Sequence, residues 1–309
     1  MALPNASWRE QEADFNLRQN KDNMREIDLH THSTASDGSD APALLVEKAH
    51  ALGLKAIALT DHDTITGLTE AQEASADLGI ELIRGCEISV ATDLGNMHML
   101  GLFLPQDSSR LHDFLENLRK NRELRNERII EKLRACGVAV TLEEVAAIAG
   151  ETIGRPHFAQ ILIQKGYAST RDEAFEKWLG PGGKAFSPKS APTPEEALRI
   201  LRELGATACL AHPFHKPRPD GWLEAFIERL APLGLECLEA WHSTHDENQT
   251  EEVIRLARKY GLGLSGGSDY HGKNKPDIEL GSGRNNNIAL PYTVLENLKQ
   301  LRRTRNLPC

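Results

Sequence analysis

The chain has 309 residues, 40 % hydrophobic and 26 % charged, with a formal net charge of −9; this is enough for one large barrel or two domains, and the acidic balance argues against a broad surface for duplex nucleic acid. No apolar run reaches the length of a membrane span, and the polar N-terminus lacks the apolar stretch of a signal peptide. The five cysteines are scattered and form no C-x-x-C pair, which fits a reducing compartment, so a cytoplasmic location is expected.

Residues 1–23 read as a flexible arm, and Met24 opens the ordered pattern. From there short apolar strands alternate with polar turns and helices of period 3.6. The predicted strands are Glu26–His30, Lys55–Thr60, Ile80–Gly85, Met97–Leu104, Ala206–Ala211, Leu235–Trp241 and Leu262–Gly267. Between them, Ala41–Leu52 carries Pro42 in its first turn and precedes Gly53. Thr193–Leu204 opens with Thr193-Pro194-Glu195-Glu196, a capping box with proline at the first helical position, and stops at Gly205. Glu247–Tyr260 stops at Gly261. This βα repetition predicts an α/β fold around a parallel sheet, open or closed into a barrel. Pro105 to about Pro192 breaks the rhythm with charged, helical sequence. It reads as an insertion between strands 4 and 5, a cap over the same barrel end. The expected divisions are therefore 1–23, 24–104, 105–192 and 193–309.

Twelve histidines are many for this length, and their placement is informative. Strand 1 ends in Asp28-Leu29-His30-Thr31-His32, whose H-x-H spacing puts both imidazoles on one side of an extended segment. Strand 2 ends in Thr60-Asp61-His62-Asp63, strand 3 leads to Glu87, and His98 lies near the start of strand 4. Strand 5 ends in Ala211-His212-Pro213, strand 6 in Trp241-His242-Ser243-Thr244-His245, and strand 7 in Asp269-Tyr270-His271. Functional groups of parallel α/β folds gather at the C-terminal strand ends. One histidine there is an ordinary surface residue. Ligand-type side chains at nearly every strand end are a pattern that predicts a metal cluster. The mixed nitrogen and oxygen donors, without thiolate, suit Mn²⁺, Fe²⁺ or Zn²⁺. No C-x₅-R or Walker A sequence offers another route to phosphate chemistry.

In this order the residues resemble the polymerase-and-histidinol-phosphatase (PHP) family from Arg25 to about Arg284. Within it the chain looks most like the RNase AM and 3′,5′-nucleoside bisphosphate phosphatase group, through Thr60-Asp61-His62-Asp63-Thr64, Gly154-Arg155-Pro156-His157-Phe158-Ala159 and Leu210-Ala211-His212-Pro213-Phe214. The resemblance implies a distorted seven-stranded (β/α)₇ barrel with two to three divalent metals per chain. Mn²⁺ is expected, with Fe²⁺, Zn²⁺ or Mg²⁺ as alternatives. It implies one metal on His30, His32, Glu87 and Asp269, a second on Glu87, His98 and His212, and a third on Asp37, His62 and His271. Asp37 stands where some relatives have histidine. The implied nucleophile is hydroxide shared by the metals, with no side-chain nucleophile.

Other residues are candidates for substrate contact. Arg155 and His157 are expected on a rigid turn of the insertion, with Arg155 as a bidentate phosphate clamp. Gly180-Pro181-Gly182-Gly183-Lys184 is either an anion nest with Lys184 as counter-charge or a plain loop. His245 is a candidate to bind phosphate or to protonate the leaving oxygen, and His242 a weaker one. Asp61 and Asp63 are expected to orient imidazoles. The basic run Arg119, Lys120, Arg122, Arg125 and Arg128 reads as a solvated helix face, with a rail for an RNA strand as the alternative, and Gly281-Ser282-Gly283-Arg284 as a loop that could face phosphate.

The implied activity is metal-dependent phosphoester hydrolysis on 3′,5′-bisphosphate nucleotides, short 5′-phosphorylated RNA, or both, with no membrane and no required protein partner. Histidinol-phosphate phosphatase is the alternative on the same chemistry. A non-catalytic metal module is the more distant one, disfavoured because nine ligands in three sets leave open positions.

Overall fold

The computed structural model describes residues 25–149, 153–188 and 191–309; the expected arm, residues 1–23, lies outside them. They fall into two compact units, one of residues up to 112 together with 192–309 and one of 113–191.

The first unit carries a seven-stranded sheet, ordered β1 (Ile27–Thr31), β2 (Ala56–Leu59), β3 (Glu81–Thr92), β4 (Gly95–Leu102), β5 (Thr207–Leu210), β6 (Cys237–His242) and β7 (Gly263–Gly267). The sheet is not all parallel, as the βα rhythm predicts. Strands β3 and β4 form an antiparallel hairpin, and β4 is also antiparallel to β5, while the remaining neighbours are parallel. The reason is local: the predicted third strand runs on past Gly85 to Thr92, and only Asp93 and Leu94 separate it from β4. A crossover helix needs a far longer connection.

The seam between β1 and β7 is closed just past the strand ends. Thr31 bridges Tyr270, the Asp269 N–H donates to the His30 carbonyl, and the His32 N–H donates to the Tyr270 carbonyl. Gly267 makes this approach possible, because a Cβ there would lie 2.4 Å from the His30 Cβ. The sheet is thus nearly closed into a barrel.

Helices pack on it through faces that the sequence encodes. α1 (Pro42–Ala51) buries Pro42, Leu45, Val46 and Ala49. α2 spans Leu68–Leu78. After the helical unit, α7 (Pro194–Glu203) starts at the Thr193/Glu196 capping box and buries Ala197, Leu198 and Leu201. α8 (Trp222–Leu230) follows β5. α9 (Glu247–Tyr260) starts at Asp246, buries Val253, Leu256 and Ala257, and ends at Gly261 in the left-handed conformation. α10 (Tyr292–Arg303) adds Leu295 and Leu298 to the core that holds Ile27, Leu29, Ala56, Ala58 and Leu100.

The second unit is helical among its described residues. It contains most of α3 (Ser109–Ala135), then α4 (Leu142–Ala149), α5 (Arg155–Gln164), α6 (Arg171–Ala174) and a π-helical turn at Phe175–Leu179. Its core is its own, built on Ile129, Leu133, Val145, Phe158, Leu162, Trp178 and Leu179. No helix among the described residues is long and apolar enough to cross a membrane.

Candidate metal centre

Glu87 sits in mid-strand, not beyond a strand end. It pairs in register with Leu100, and Ser89 pairs with His98, so Glu87 and His98 are diagonal neighbours on one face of the hairpin. Because β4 runs antiparallel, the early position of His98 in its strand brings it to the end where β1 and β5 finish. The segment after β2 continues alongside β3 through a His62–Glu87 bridge.

The result is one buried carboxylate ringed by imidazoles. Glu87 Oε2 lies 3.2 Å from His30 Nε2, 3.2 Å from His32 Nε2 and 3.0 Å from His62 Nδ1. Its Oε1 lies 2.8 Å from His98 Nδ1 and 2.9 Å from His212 Nε2. Asp269 Oδ1 stands 3.2 Å from His32 Nε2 and 3.6 Å from His30 Nε2. Asp37 Oδ1 is 3.1 Å from His271 Nε2, and Asp37 Oδ2 is 3.9 Å from His62 Nε2. All nine residues implied as ligands are therefore brought to one end of the barrel.

These donors fit divalent cations better than they fit each other. Both nitrogens of His32, Nδ1 of His62 and Nε2 of His271 are buried without a hydrogen-bond partner, although carboxylate oxygens stand close by. Groupings of ligand atoms within 4.8 Å of one another include His30, His32, Glu87 and Asp269; His62, Glu87 and His98; and His32, Asp37, His62 and His271. Burial opposes ionisation of Glu87, but the surrounding imidazoles outweigh it and hold the carboxyl well below its usual range. Burial likewise lowers His32, yet hydrogen bonds to Asp269 and Glu87 prevail and lift it to about 9. Protons thus take the place of cations when none is bound. His212 and Asp269 hold positive φ of 24° and 59°, a strained backbone of the kind found at functional sites.

Three residues of the centre lie outside the implied ligand set. Glu239 Oε1 is 2.8 Å from His30 Nδ1, and its Oε2 accepts the His212 N–H at 2.6 Å. Lys275 Nζ lies 2.7 Å from Asp269 Oδ2. His242 Nε2 lies 3.5 Å from the same oxygen, and burial lowers His242 to about 4. Glu239 is legible as an alternating polar residue inside an apolar strand; Lys275 carries no sequence signal.

Other expected contacts differ. His245 is buried with Nδ1 2.9 Å from the Ala240 carbonyl, and its Nε2 accepts the Phe214 N–H at 3.5 Å, so both nitrogens meet backbone. Asp61 accepts from the Ser33 N–H, the Ser33 hydroxyl and the Ser36 hydroxyl; it fixes the loop that carries Asp37 and meets no imidazole. Asp63 accepts from the Ser89 N–H. Arg284 pairs with Asp277, and the Gly281 N–H donates to Asp28. A cavity of about 660 Å³ in this unit is lined by Lys48, Tyr270 and Lys273 among others and contains none of the nine residues.

Within the helical unit, the rigid turn expected at Arg155 and His157 is the first turn of α5, with Gly154 as N-cap and the Gly154 N–H donating to His157 Nδ1. Arg155 donates once to the Leu179 carbonyl and lies over the Phe175 ring. Arg125 departs from the solvated-face reading: it is 5 % exposed, and burial, then Arg122 and Arg155, lowers it to about 10. The amides of Gly180, Gly183 and Lys184 donate to backbone carbonyls, so they do not form an anion nest. Lys184 lies over the Trp178 ring.

An α/β barrel that gathers imidazoles around a shared carboxylate at one end is the architecture of a metal-dependent hydrolase. The PHP domain model matches residues 28–180. A 5′-3′ exoribonuclease from Haemophilus influenzae is 33 % identical over 247 residues, 80 % of this chain and 90 % of that protein. A 3′,5′-nucleoside bisphosphate phosphatase from Chromobacterium violaceum is 30 % identical over 260 residues, 84 % of this chain and 91 % of that protein. A crystal structure from Bifidobacterium adolescentis, assigned as a metal-dependent phosphoesterase, superposes with a TM-score of 0.66 at 34 % identity, covering 89 % of this chain and 96 % of that one. The chain belongs to the PHP family, and it is a hydrolase of phosphoester bonds.

Proposed function

We propose that the chain hydrolyses the phosphoester at the 3′-oxygen of 5′-phosphorylated nucleotides, acting as a 3′,5′-nucleoside bisphosphate phosphatase and as a 5′→3′ exoribonuclease on short RNA. The observation that carries this reading is Glu87, whose two oxygens each face imidazoles from different strands, the geometry of a carboxylate shared between cations. His30, His32, Glu87 and Asp269 would hold one ion, Glu87, His98 and His212 a second, and Asp37, His62 and His271 a third, with Mn²⁺ the expected metal. Bound divalent ions supply positive charge to phosphoryl oxygens and make water acidic enough to attack phosphorus at neutral pH.

The residues themselves do the positioning. Glu87, Asp37 and Asp269 set the negative charge that gathers the cations and, with the neutral imidazoles, leave a net positive centre for a polyanion once loaded. Arg155 is the proposed reader of a non-reacting 5′-phosphate, since it spends only one hydrogen bond on Leu179 and has no carboxylate partner among the described ion pairs. A cytoplasmic location belongs to the same reading, in keeping with five unbridged cysteines.

The test is phosphate and nucleotide release with Mn²⁺ on 3′,5′-bisphosphate nucleotides, mononucleotides, histidinol phosphate and short RNAs. Preference for substrates that carry both a 5′-phosphate and a 3′-phosphoester supports the proposal. Turnover confined to histidinol phosphate would reject it.

A further inference from the structure

The imidazoles of the centre differ in which nitrogen carries the hydrogen. His30 Nδ1 faces the Glu239 carboxylate, which accepts, so Nδ1 bears a hydrogen and Nε2, beside Glu87 and Asp269, is the nitrogen left to ligate a cation once its own proton is displaced. His271 Nδ1 lies 2.8 Å from the Asp269 carbonyl, so its Nε2 lone pair faces Asp37. Both rings are set up as ligands.

His242 is set the other way. Its Nδ1 receives the backbone N–H of Thr244 at 3.1 Å, and an amide N–H only donates. Nδ1 therefore presents its lone pair, and the Thr244 hydroxyl, 2.8 Å away, donates there as well. The ring hydrogen is left on Nε2, which is buried without a hydrogen-bond partner. A nitrogen that carries a hydrogen does not ligate a cation. We propose that His242 is the hydrogen-bond donor of the centre, holding its Nε2–H for an oxygen of a phosphoryl group, and is not a metal ligand even though it groups within 4.8 Å of ligand atoms of His30, His212 and Glu239.

Two features support the assignment. Asp269 Oδ2, 3.5 Å from Nε2, is held by Lys275 at 2.7 Å, and Nε2 makes no hydrogen bond to it or to any other acceptor, so the Nε2–H remains available. An unsatisfied donor in a buried site is costly unless something occupies it during function. The identity of that oxygen rests on the phosphoesterase reading; the tautomer does not.

Two measurements test the proposal. In protein labelled with ¹⁵N-histidine and loaded with Zn²⁺, His242, assigned by its absence in His242→Gln, is expected to show a protonated Nε2 and a lone-pair Nδ1. The reverse tautomer overturns the proposal. The second is inorganic phosphate affinity and metal content in His242→Ala, His242→Gln and His271→Gln. The alanine variant should keep the full metal content and bind phosphate about tenfold more weakly. Gln, whose amide can offer N–H near the Nε2 position, should restore part of the affinity, and His271→Gln should lose metal. Metal loss in His242→Ala, or unchanged phosphate affinity, overturns the proposal. Failure of the functional reading shows separately, as absence of turnover by the unmodified protein in the substrate screen.

Discussion

Glu239 Oε1 lies 2.8 Å from His30 Nδ1, with both side chains fully buried. The second oxygen of Glu239 holds the backbone N–H of His212, so one carboxylate from β6 orients an imidazole of β1 and the strained turn after β5. Burial opposes its ionisation, but His30 and His242 outweigh this and lower it to about 2, so it remains an acceptor throughout the working range.

Replacing Glu239 should therefore loosen the metals without removing a ligand. Glu239→Gln can orient only one of the two groups correctly, and roughly 10- to 100-fold weaker metal binding is expected. Glu239→Ala should be weaker still and less stable. Calorimetric metal titrations of the chelator-treated protein check this; wild-type affinity in Glu239→Gln would show that His30 needs no such partner.

Glu87→Ala and His30→Ala should abolish turnover and lower the metal content, because five imidazoles converge on Glu87. Cys86→Ser is the control. Its thiol is buried, burial pushes its pKa well up, and its Sγ faces the Asp61 carbonyl. Turnover should stay near wild type. A large catalytic loss in a folded Cys86→Ser protein would mean that thiol chemistry has been overlooked.

Metal loading should depend on pH with a definite sign. His32 is held at about 9 by Asp269 and Glu87 against the effect of burial, so below that pH the metal-free ring keeps a proton that an incoming cation must displace. Affinity should rise from about pH 6 to pH 8, with proton release on binding. Calorimetry in buffers of different ionisation enthalpy measures this directly. Proton-free binding with a flat pH profile would exclude the displacement.

The strand ends were legible because ligand residues interrupt apolar runs at a regular place: His30 and His32, His62, His212 and Asp269 all follow short hydrophobic strands. The hairpin was not. Residues after Gly85 alternate in a way that suits either a loop or a longer strand, and only pairing with β4 decides for the strand, turning Glu87 from a strand-end residue into a mid-strand one. Tautomers were illegible for a similar reason. His242 and His245 sit three residues apart at one strand end, and which ring faces the centre depends on the Thr244 amide and the Ala240 carbonyl. Arg125 read as a surface charge since its neighbours in the run are charged; it is instead buried, with Arg122 and Arg155 close by.

The two activities of the proposed function follow from one anchored geometry. If Arg155 reads a 5′-phosphate while the centre acts on the ester at the 3′-oxygen, a 3′,5′-bisphosphate nucleotide yields inorganic phosphate and a 5′-mononucleotide. With 5′-monophosphorylated RNA, the same attack breaks the 3′-O–P bond of the first residue. It releases a 5′-mononucleotide and leaves a new 5′-phosphate on the shortened chain, so the anchor is regenerated at each step and the next ester is presented at the same distance. RNA with a 5′-monophosphate should therefore be degraded from that end, and the same RNA with a 5′-hydroxyl far more slowly. Arg155→Ala should lower kcat/KM on the phosphorylated RNA by roughly 10- to 150-fold, the worth of a charge-assisted contact of about 1.5–3 kcal/mol, and should have a smaller effect on the hydroxyl form. A time course on RNA labelled at its 3′ end reads all of this. Progressive shortening of the labelled fragment is the expected result. Immediate release of the labelled 3′-nucleotide, or equal rates for both 5′ ends, would reject the anchored mechanism, and an equal loss on both RNAs in Arg155→Ala would reduce Arg155 to a structural role through Leu179 and Phe175.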